Sequence, residues 1–305
     1  MTQQSPRPAA VHLYRLAGAN ERLALDDGSG TWDLGAYLER TGRSTDLVDL
    51  FEDGWLAADQ LEPRLPRSGG EGWVPLECEF TDGIPGPVDV PLDPHRVGKI
   101  LALGKNFLAH AREFGEEVPT EPMFFNKLPE TLVPSGSEVR VPAWYTQRVD
   151  HEAELALVIG LGGRDLAPED AFEHVAGYTV ANDLTARSLQ GADRELGYPW
   201  LRGKNMDGFL PLGPCFVPRD FLDVSNLRVT AKVNGELRQD ATTRDWVVPI
   251  PEALAWLSKH LTLYPGDVVL MGTPAGVGPL VDGDRVECAV EGIGTLTTIL
   301  QRPQA

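Results

Sequence analysis

The feature that most constrains the fold of this chain is a series of short apolar runs separated by proline and glycine turns. The series begins at Val97, and many of the runs are rich in β-branched residues, which favours strands. Asn234-Gly235 lies between two of the runs and predicts a hairpin, because both residues accept the positive φ angles of a type I′ turn. Residues 249–261 have the best amphipathic helix pattern. We therefore predict a mixed α+β fold in which strands dominate.

The N-terminal part of the chain has a different character. Residues 11–16 alternate like a strand, and residues 46–61 can hold one or two short helices. Prolines and glycines interrupt regular structure repeatedly over residues 62–94. We therefore predict a small N-terminal region with a linker over residues 1–95, packed on a main domain over residues 96–305.

The charge balance restricts the partners of the chain. Asp and Glu number 45 and Lys and Arg 27, which gives a formal net charge of −18. Such a field repels nucleic acid and anionic membranes, so neither partner is expected. An acidic metabolite could be attracted only by a local positive charge, either buried Lys and Arg side chains or a divalent cation.

The sequence also lacks the marks of a secreted or membrane protein. Its N-terminus has no apolar signal segment, and no stretch reaches the ~18 apolar residues of a membrane span. The three widely spaced cysteines have no CxxC pattern, which predicts neither a disulfide framework nor a zinc site; they are Cys78, Cys215 and Cys288. We therefore expect a soluble, cytoplasmic protein.

A set of carboxylates is the strongest chemical signal. Glu152 and Glu154 begin an apolar run at positions i and i+2, so on a strand both side chains point to the same face. A hard cation such as Mg²⁺ would relieve their mutual repulsion inside a core. The alternative is a pair of hydrated acids at an exposed strand end. Asp183 follows another apolar run and is either a third ligand or a helix N-cap.

Several other polar residues could serve an anionic substrate. His110 and Glu113 share a helix face at i and i+3, as a general base and its orienting carboxylate would, or they form a surface pair. Lys127 and Lys204 follow apolar or aromatic residues, so each is a partly buried ammonium group or a lysine that reaches solvent.

A second group of polar residues could line the same pocket. Arg187 and Gln190 also stand at i and i+3, downstream of Asp183. Thr273 lies in the turn GTPAGVG. Its hydroxyl and the backbone N–H groups of the turn could hold a carboxylate. Neither this turn nor GLGGRD has the pattern of a nucleotide-binding loop.

Read in order, the motifs of residues 97–300 resemble the fumarylacetoacetate hydrolase family. They are GKNF with HAxE, FFNKLP, DHEAELALVIG, GYTVANDLTAR, PWLRGKNMDGFLPLGP and GTPAGVGP. The resemblance implies a mixed β-roll catalytic domain over residues 96–305 and a homodimer. It also implies that Mg²⁺ or Mn²⁺ is bound by Glu152, Glu154 and Asp183.

The same resemblance implies roles for the remaining candidates. His110 and Glu113 would form the dyad that activates water or moves a proton, with Lys204 beside the metal. The substrate site would be lined by Lys127, Arg187, Gln190 and Thr273. Residues 1–95 lie outside the resemblance.

The implied substrate is a small 2-oxo acid, and one set of groups can serve several reactions on it. We favour, by a small margin, a hydrolase that cleaves a C–C bond of an acylpyruvate or fumarylpyruvate in aromatic or amino-acid catabolism. The alternative is an isomerase, tautomerase or decarboxylase of 2-oxo dicarboxylates, such as 2-hydroxyhepta-2,4-diene-1,7-dioate or oxaloacetate. A non-catalytic binding relative is the third hypothesis.

Overall fold

A computed structural model describes residues 10–18, 22–76, 80–81, 84–113 and 120–303 of the chain. Strands carry most of its regular structure and the helices are short, which confirms the α+β class. No helix of these ranges is long and apolar enough to cross a membrane. Cys215 and Cys288 are buried, free thiols, and Cys78 lies outside the described residues.

The helices and strands are numbered in chain order. The α-helices are α1 Leu34–Arg40, α2 Leu47–Glu52, α3 Ala58–Leu61, α4 Leu108–Glu113, α5 Arg187–Glu195, α6 Leu201–Lys204 and α7 Ile250–His260. The strands are β1 His12–Arg15, β2 Leu23–Asp26, β3 Thr31–Asp33, β4 Phe80–Thr81, β5 Ile84–Pro85, β6 Ile100–Gly104, β7 Met123–Lys127, β8 Leu132–Val133, β9 Ser137–Arg140, β10 Val149–Asp150, β11 Ala153–Ile159, β12 Val175–Asn182, β13 Thr185–Ala186, β14 Leu210–Pro218, β15 Arg228–Val233, β16 Glu236–Thr242, β17 Val268–Leu270, β18 Arg285–Val290 and β19 Gly294–Gln301.

The larger sheet has the order β3-β2-β1-β14-β12-β11-β17-β6-β7, with β8 paired to β14. β11 lies inside this sheet and all of its residues are buried, as its mostly apolar sequence predicts. It runs antiparallel to β12 and β17, while β6 runs parallel to β17. The start of β11 and the ends of β12, β17 and β6 therefore meet at one edge of the sheet.

The smaller sheet has the order β16-β15-β18-β19-β9 and packs against the larger one, where β14 contacts β19 and β11 contacts β15 and β18. Side chains of both sheets, among them Leu157, Val229 and Leu296, are fully buried between them. The predicted hairpin is confirmed, because β15 and β16 are joined by Asn234 and Gly235 with φ angles of 51° and 81°.

The N-terminal strands extend the larger sheet. β1 pairs with β14, with Leu13 opposite Phe216, and Phe51 of α2 stacks on the same Phe216 ring at 5.0 Å. In the proline-rich stretch that follows, Trp73 stacks on Tyr37 of α1 at 4.2 Å. This region therefore packs on the edge of the main body through apolar contacts.

Candidate active site

Strand register brings the predicted metal ligands together. Asp183 directly follows β12 and Glu152 directly precedes β11, so the antiparallel pairing of these strands places them side by side. The Asp183 backbone N–H donates to Glu152 O at 2.8 Å. Gly272 follows β17 and lies opposite Glu154, and its N–H donates to Glu154 Oε2 at 2.6 Å. Three strands thus position three carboxylates at one sheet edge.

The carboxylates of Glu152, Glu154 and Asp183 are buried, and their ligand oxygens lie within 4.8 Å of one another. They are therefore not hydrated acids at an exposed strand end. Asp183 is not a helix N-cap either, since α5 begins after Ala186 and has no side-chain cap. Three carboxylates this close together need compensating positive charge.

The surroundings push two of these carboxylates in opposite directions. Burial would raise the pKa of Glu152, but Lys204 and Arg187 outweigh that effect and hold the pKa well below its usual range. For Glu154, burial and the neighbouring Asp183 and Glu152 raise the pKa well above its usual range. Glu154 is therefore the carboxylate of this cluster that a bound proton or cation would stabilise most.

Two buried lysines supply part of the compensation. Lys204 donates to Glu152 Oε2 at 2.8 Å and to Asp183 Oδ2 at 2.5 Å, and these charges overcome burial and raise its pKa. Lys127 donates to Asp183 Oδ1 at 2.7 Å and to the carbonyls of Lys204 and Phe209 at 2.6 and 2.9 Å. Burial lowers the pKa of Lys127, which faces one carboxylate rather than two.

The hydrogen bonds of Lys127 correct one sequence prediction. An ammonium group has three protons, and all three of these point at protein acceptors. We had expected Lys127 to line the substrate site. The structure places it behind Asp183, where it positions that carboxylate.

The predicted dyad is formed at the other side of the site. His110 Nδ1 lies 3.3 Å from Glu113 Oε2, and Glu113 Oε1 accepts from Gly276 N at 3.1 Å. Gly276 has a φ of 101°, and a Cβ there would lie 1.9 Å from Arg238 O, so only glycine fits. Burial lowers the pKa of His110, although Glu152 and Glu113 oppose this shift. The imidazole is therefore held in its neutral form.

Arg187 and Gln190 face the same cavity, as their spacing predicts. Arg187 donates to Gln190 Oε1 at 2.7 Å and to Asp150 Oδ2 at 2.8 Å, and it also forms an ion pair with Glu152. Burial would lower the pKa of Arg187, but Glu152 and Asp150 raise it, so the guanidinium group stays charged. It links the carboxylate cluster to helix α5.

Thr273 also lines the cavity, but its hydroxyl belongs to a structural network. Its Oγ1 donates to Ala153 O at 3.0 Å and accepts from Gln239 Nε2 at 2.8 Å. Gln239 Oε1 in turn accepts from Ala153 N at 3.0 Å. The Thr273 proton is therefore directed at the backbone of β11.

A cavity of about 230 Å³ opens onto these groups. Its wall also includes the apolar side chains of Leu103, Phe125 and Trp200. Of the predicted site residues, Asp183, Lys127 and Glu113 are not part of this wall. Those that form part of it are His110, Glu152, Glu154, Arg187, Gln190, Lys204 and Thr273.

Some residues of the site escaped the sequence prediction. Asp150 anchors Arg187, and its place beside Glu152 in the motif DHEAE could have revealed it. Gln239 lies in a polar strand without any local signal. Lys105 and Arg194 line the cavity, and only their neighbours in GKNF and TARSLQ pointed to them.

A carboxylate cluster at a sheet edge, open to a cavity that also holds a neutral imidazole, is an arrangement typical of metal-dependent enzymes. Residues 99–301 match the family described as fumarylacetoacetate (FAA) hydrolase C-terminal. The chain therefore belongs to the fumarylacetoacetate hydrolase family, as its motifs predicted.

Three similar proteins place the chain within this family. A mitochondrial oxaloacetate tautomerase of Bos taurus is 38% identical over 297 residues, which cover 92% of this chain and 87% of the relative. A fumarylacetoacetate hydrolase from psychrophilic Exiguobacterium antarcticum superposes with a TM-score of 0.76 at 29% identity, over 97% of this chain and 100% of that one. Fumarylpyruvate hydrolase from Pseudomonas aeruginosa, in complex with Mn²⁺ and pyruvate, superposes with a TM-score of 0.65 at 34% identity. This superposition covers 75% of this chain and 96% of that one.

The donor set fits a divalent cation. All three candidate ligands offer carboxylate oxygens, which hard divalent ions prefer over nitrogen or sulfur. Glu154 faces the cavity, and its raised pKa shows that the cluster favours added positive charge at this point. A cation there would be reached by a ligand that enters the cavity.

Proposed function

We propose that this protein is a divalent-metal-dependent tautomerase of small 2-oxo dicarboxylic acids of the oxaloacetate type. The observation that carries this proposal is the similarity to an oxaloacetate tautomerase over 92% of the chain, which includes the N-terminal region. The site supports it, because a tautomerase needs a proton-transfer group and charge stabilisation beside one bound substrate. Both are present around the cavity.

Glu152, Glu154 and Asp183 would hold Mg²⁺ or Mn²⁺. When bound, the cation supplies Lewis-acid stabilisation for the negative charge that develops on the 2-oxo oxygen. Lys204 adds a fixed positive charge at the same end of the cavity, where it forms ion pairs with Glu152 and Asp183. Lys127 positions Asp183 from behind.

His110 would carry the proton. Glu113 accepts a hydrogen bond from Nδ1, which fixes the tautomer in which Nε2 is basic. In the keto-to-enol direction, Nε2 would take a proton from the carbon next to the 2-oxo group and give it to the 2-oxo oxygen, so that the imidazole ends neutral again. The proton count is unchanged, and no bond between carbon atoms breaks. Arg187 and Gln190 bind and orient the substrate from α5.

Hydrolysis of a C–C bond is the second candidate. It was favoured from the sequence, and similarity to the fumarylpyruvate hydrolase of Pseudomonas aeruginosa supports it. That hydrolase is 34% identical over 75% of the chain, and the fumarylacetoacetate hydrolase of Exiguobacterium antarcticum is 29% identical over 97%. The tautomerase is 38% identical over 92% of the chain. In a hydrolase, His110 would deprotonate a water molecule instead of a substrate carbon.

Product analysis distinguishes these reactions. Purified protein with Mg²⁺ is mixed with oxaloacetate, and the absorbance of its enol is followed alongside pyruvate release. The same protein is tested on acylpyruvates and fumarylpyruvate. Faster interconversion of keto and enol forms without pyruvate release supports the tautomerase. Pyruvate plus a free acid from an acylpyruvate, with no effect on the tautomers, would replace it with the hydrolase.

A further inference from the structure

Two cations on the solvent side of the cavity have no part in the chemistry proposed above. Lys105 and Arg194 both line the cavity that contains Glu152 and Glu154. The two glutamates are buried, whereas Lys105 is half-buried and Arg194 is exposed. The cavity therefore has paired acidic and basic groups at its buried inner end, and Lys105 and Arg194 nearer to solvent.

Lys105 has an unusual backbone conformation. Its φ is +58°, in the left-handed region that costs a residue with a Cβ about 1–2 kcal/mol. Glycine would avoid this cost, and Asn would reduce it. A lysine held in such a conformation on a cavity wall is a feature that function explains better than folding does.

Arg194 is presented by the face of α5 that already serves the site. Arg187, Gln190, Gly191 and Arg194 stand at i, i+3, i+4 and i+7 of this helix, and all four line the cavity. A Cβ added at Gly191 would meet no atom within 4 Å. The helix face is therefore open in front of Gly191, with room for a ligand group between Gln190 and Arg194.

Lys105 and Arg194 act on each other electrostatically. Burial and the charge of Arg194 lower the pKa of Lys105. An anionic group bound between the two would offset the repulsion between their positive charges. Charged hydrogen bonds to that group would also replace the water that burial removes from Lys105. In a chain with a net charge of −18, such a pair also gives an anion a favourable point of entry.

We infer that Lys105 and Arg194 form the subsite for the distal carboxylate of the substrate and so select 2-oxo dicarboxylates over 2-oxo monocarboxylates. This inference rests on the proposed function. The 2-oxo acid end of the ligand lies at the carboxylate cluster, and its far carboxylate faces the two cations. A substrate with a methyl group at that end gains nothing from them.

Binding measurements test the subsite independently of turnover. The probes are 2-oxoglutarate and 2-oxopentanoate, which differ only in their distal carboxylate or methyl group. Their Kd values for Mn²⁺-loaded protein are measured by calorimetry for the wild type, Lys105→Met and Arg194→Met. The KM for oxaloacetate is measured in parallel. Lys232→Met, an exposed lysine on β15, is the matched control for the loss of one positive charge.

We expect each variant to weaken 2-oxoglutarate binding about tenfold or more, since a charged hydrogen bond is lost, and to change 2-oxopentanoate binding less than about twofold. Lys105→Arg, which keeps the charge, should restore most of the affinity. Equal weakening of both probes would show a structural role and overturn the inference. So would a wild type that binds both probes equally, or a control that behaves like Lys105→Met.

The two proposals can fail separately. If oxaloacetate is not turned over but the probes still differ as expected, the proposed reaction is wrong and the subsite stands. If oxaloacetate is turned over but Lys105→Met and Arg194→Met leave its KM and both Kd values unchanged, the subsite is wrong. Should Lys105→Met fail to fold, Arg194→Met on the solvent side of α5 gives the same comparison.

Discussion

The inner end and the outer part of the cavity are built in different ways. The inner end, formed by Glu152, Glu154, Asp183 and Lys204, lies where strand ends of the larger sheet meet, and its side chains are almost fully buried. The outer part is formed by α4, α5 and the turn around Gly276, and its side chains range from buried to exposed. Strand ends hold the three carboxylates of the first region and α6 supplies its Lys204, whereas short helices and a turn hold the second.

Because the two parts are built differently, metal binding and substrate handling can change independently. At the inner end Glu152 and Asp183 are ion-pair partners of Lys204, so removing one of the three leaves the charges of the others unbalanced. In the outer part, His110 lies on α4 and Lys105 follows β6, so either can be replaced without removing a carboxylate of the cluster. We therefore expect inner substitutions to abolish metal binding, and outer substitutions to change rate, pH dependence or substrate choice.

The largest effect is expected from Glu154→Gln at the inner end. Loss of a ligand should remove Mn²⁺ binding and lower turnover by roughly 10³-fold, since a bound metal contributes several kcal/mol to transition-state stabilisation. Calorimetry with Mn²⁺ and steady-state rates measure both. Glu138→Gln, an exposed acid on β9, is the control. Retained metal binding and activity would show that the cluster is misassigned.

The same variant has a second signature in the metal-free protein. The folded-state pKa of Glu154 is raised, so its contribution to stability is present at acid pH and is lost as pH rises above the unfolded value of 4.5. The neutral amide of Glu154→Gln avoids this loss. Metal-free Glu154→Gln should therefore melt at a higher temperature than the metal-free wild type at pH 7, whereas Mn²⁺ should raise only the wild-type Tm.

A smaller effect is expected from His110→Gln in the outer part. The variant should keep Mn²⁺ affinity but lose turnover by about 10²-fold or more, because the general base is removed. Metal titrations and initial rates on one preparation make the comparison. Loss of Mn²⁺ binding would mean that the two ends of the cavity are not independent.

Glu113→Gln should change the pH dependence more than the metal site. Burial places the pKa of His110 below its ordinary value of 6.5, and Glu113 raises it, so removal of that charge lowers it further. His110 must be neutral to act as a base. The acid limb of kcat/KM should therefore lie below pH 6.5 and move to lower pH in the variant, with about tenfold slower turnover. An acid limb that moves upward would contradict the orientation of the dyad.

The smallest effect on substrate binding is expected from Thr273→Val. Because its hydroxyl joins Ala153 and Gln239, the variant should lose about 1–3 kcal/mol in the free energy of unfolding, while KM changes less than about threefold. Urea unfolding and steady-state kinetics measure the two quantities. A tenfold rise in KM at unchanged stability would instead show direct contact with the substrate.

The sequence predicted what depends on local spacing. The two-residue period of a strand places Glu152 and Glu154 together, and the i and i+3 spacing pairs His110 with Glu113. The Asn-Gly turn and helix α7 were also predictable from neighbouring residues.

Contacts between residues that are far apart in the sequence were not predictable. Lys127 was predicted to line the substrate site. Its actual partners, on Asp183, Lys204 and Phe209, are far from it in the sequence and become its neighbours only in the folded chain. Gln239 reaches the site from the smaller sheet for the same reason. The mouth of the cavity joins Lys105, after β6, with a helix almost 90 residues further along the chain, about which the local sequence says nothing.

A crystal grown with Mn²⁺ would show whether Glu152, Glu154 and Asp183 hold the metal. Anomalous diffraction at the manganese edge locates the ion without assumptions about the reaction. We expect a peak at the inner end of the cavity, within about 2.0–2.3 Å of an oxygen of each carboxylate. A fully Mn²⁺-exposed crystal without a peak there, or with a peak at other residues, would contradict this assignment of the metal ligands.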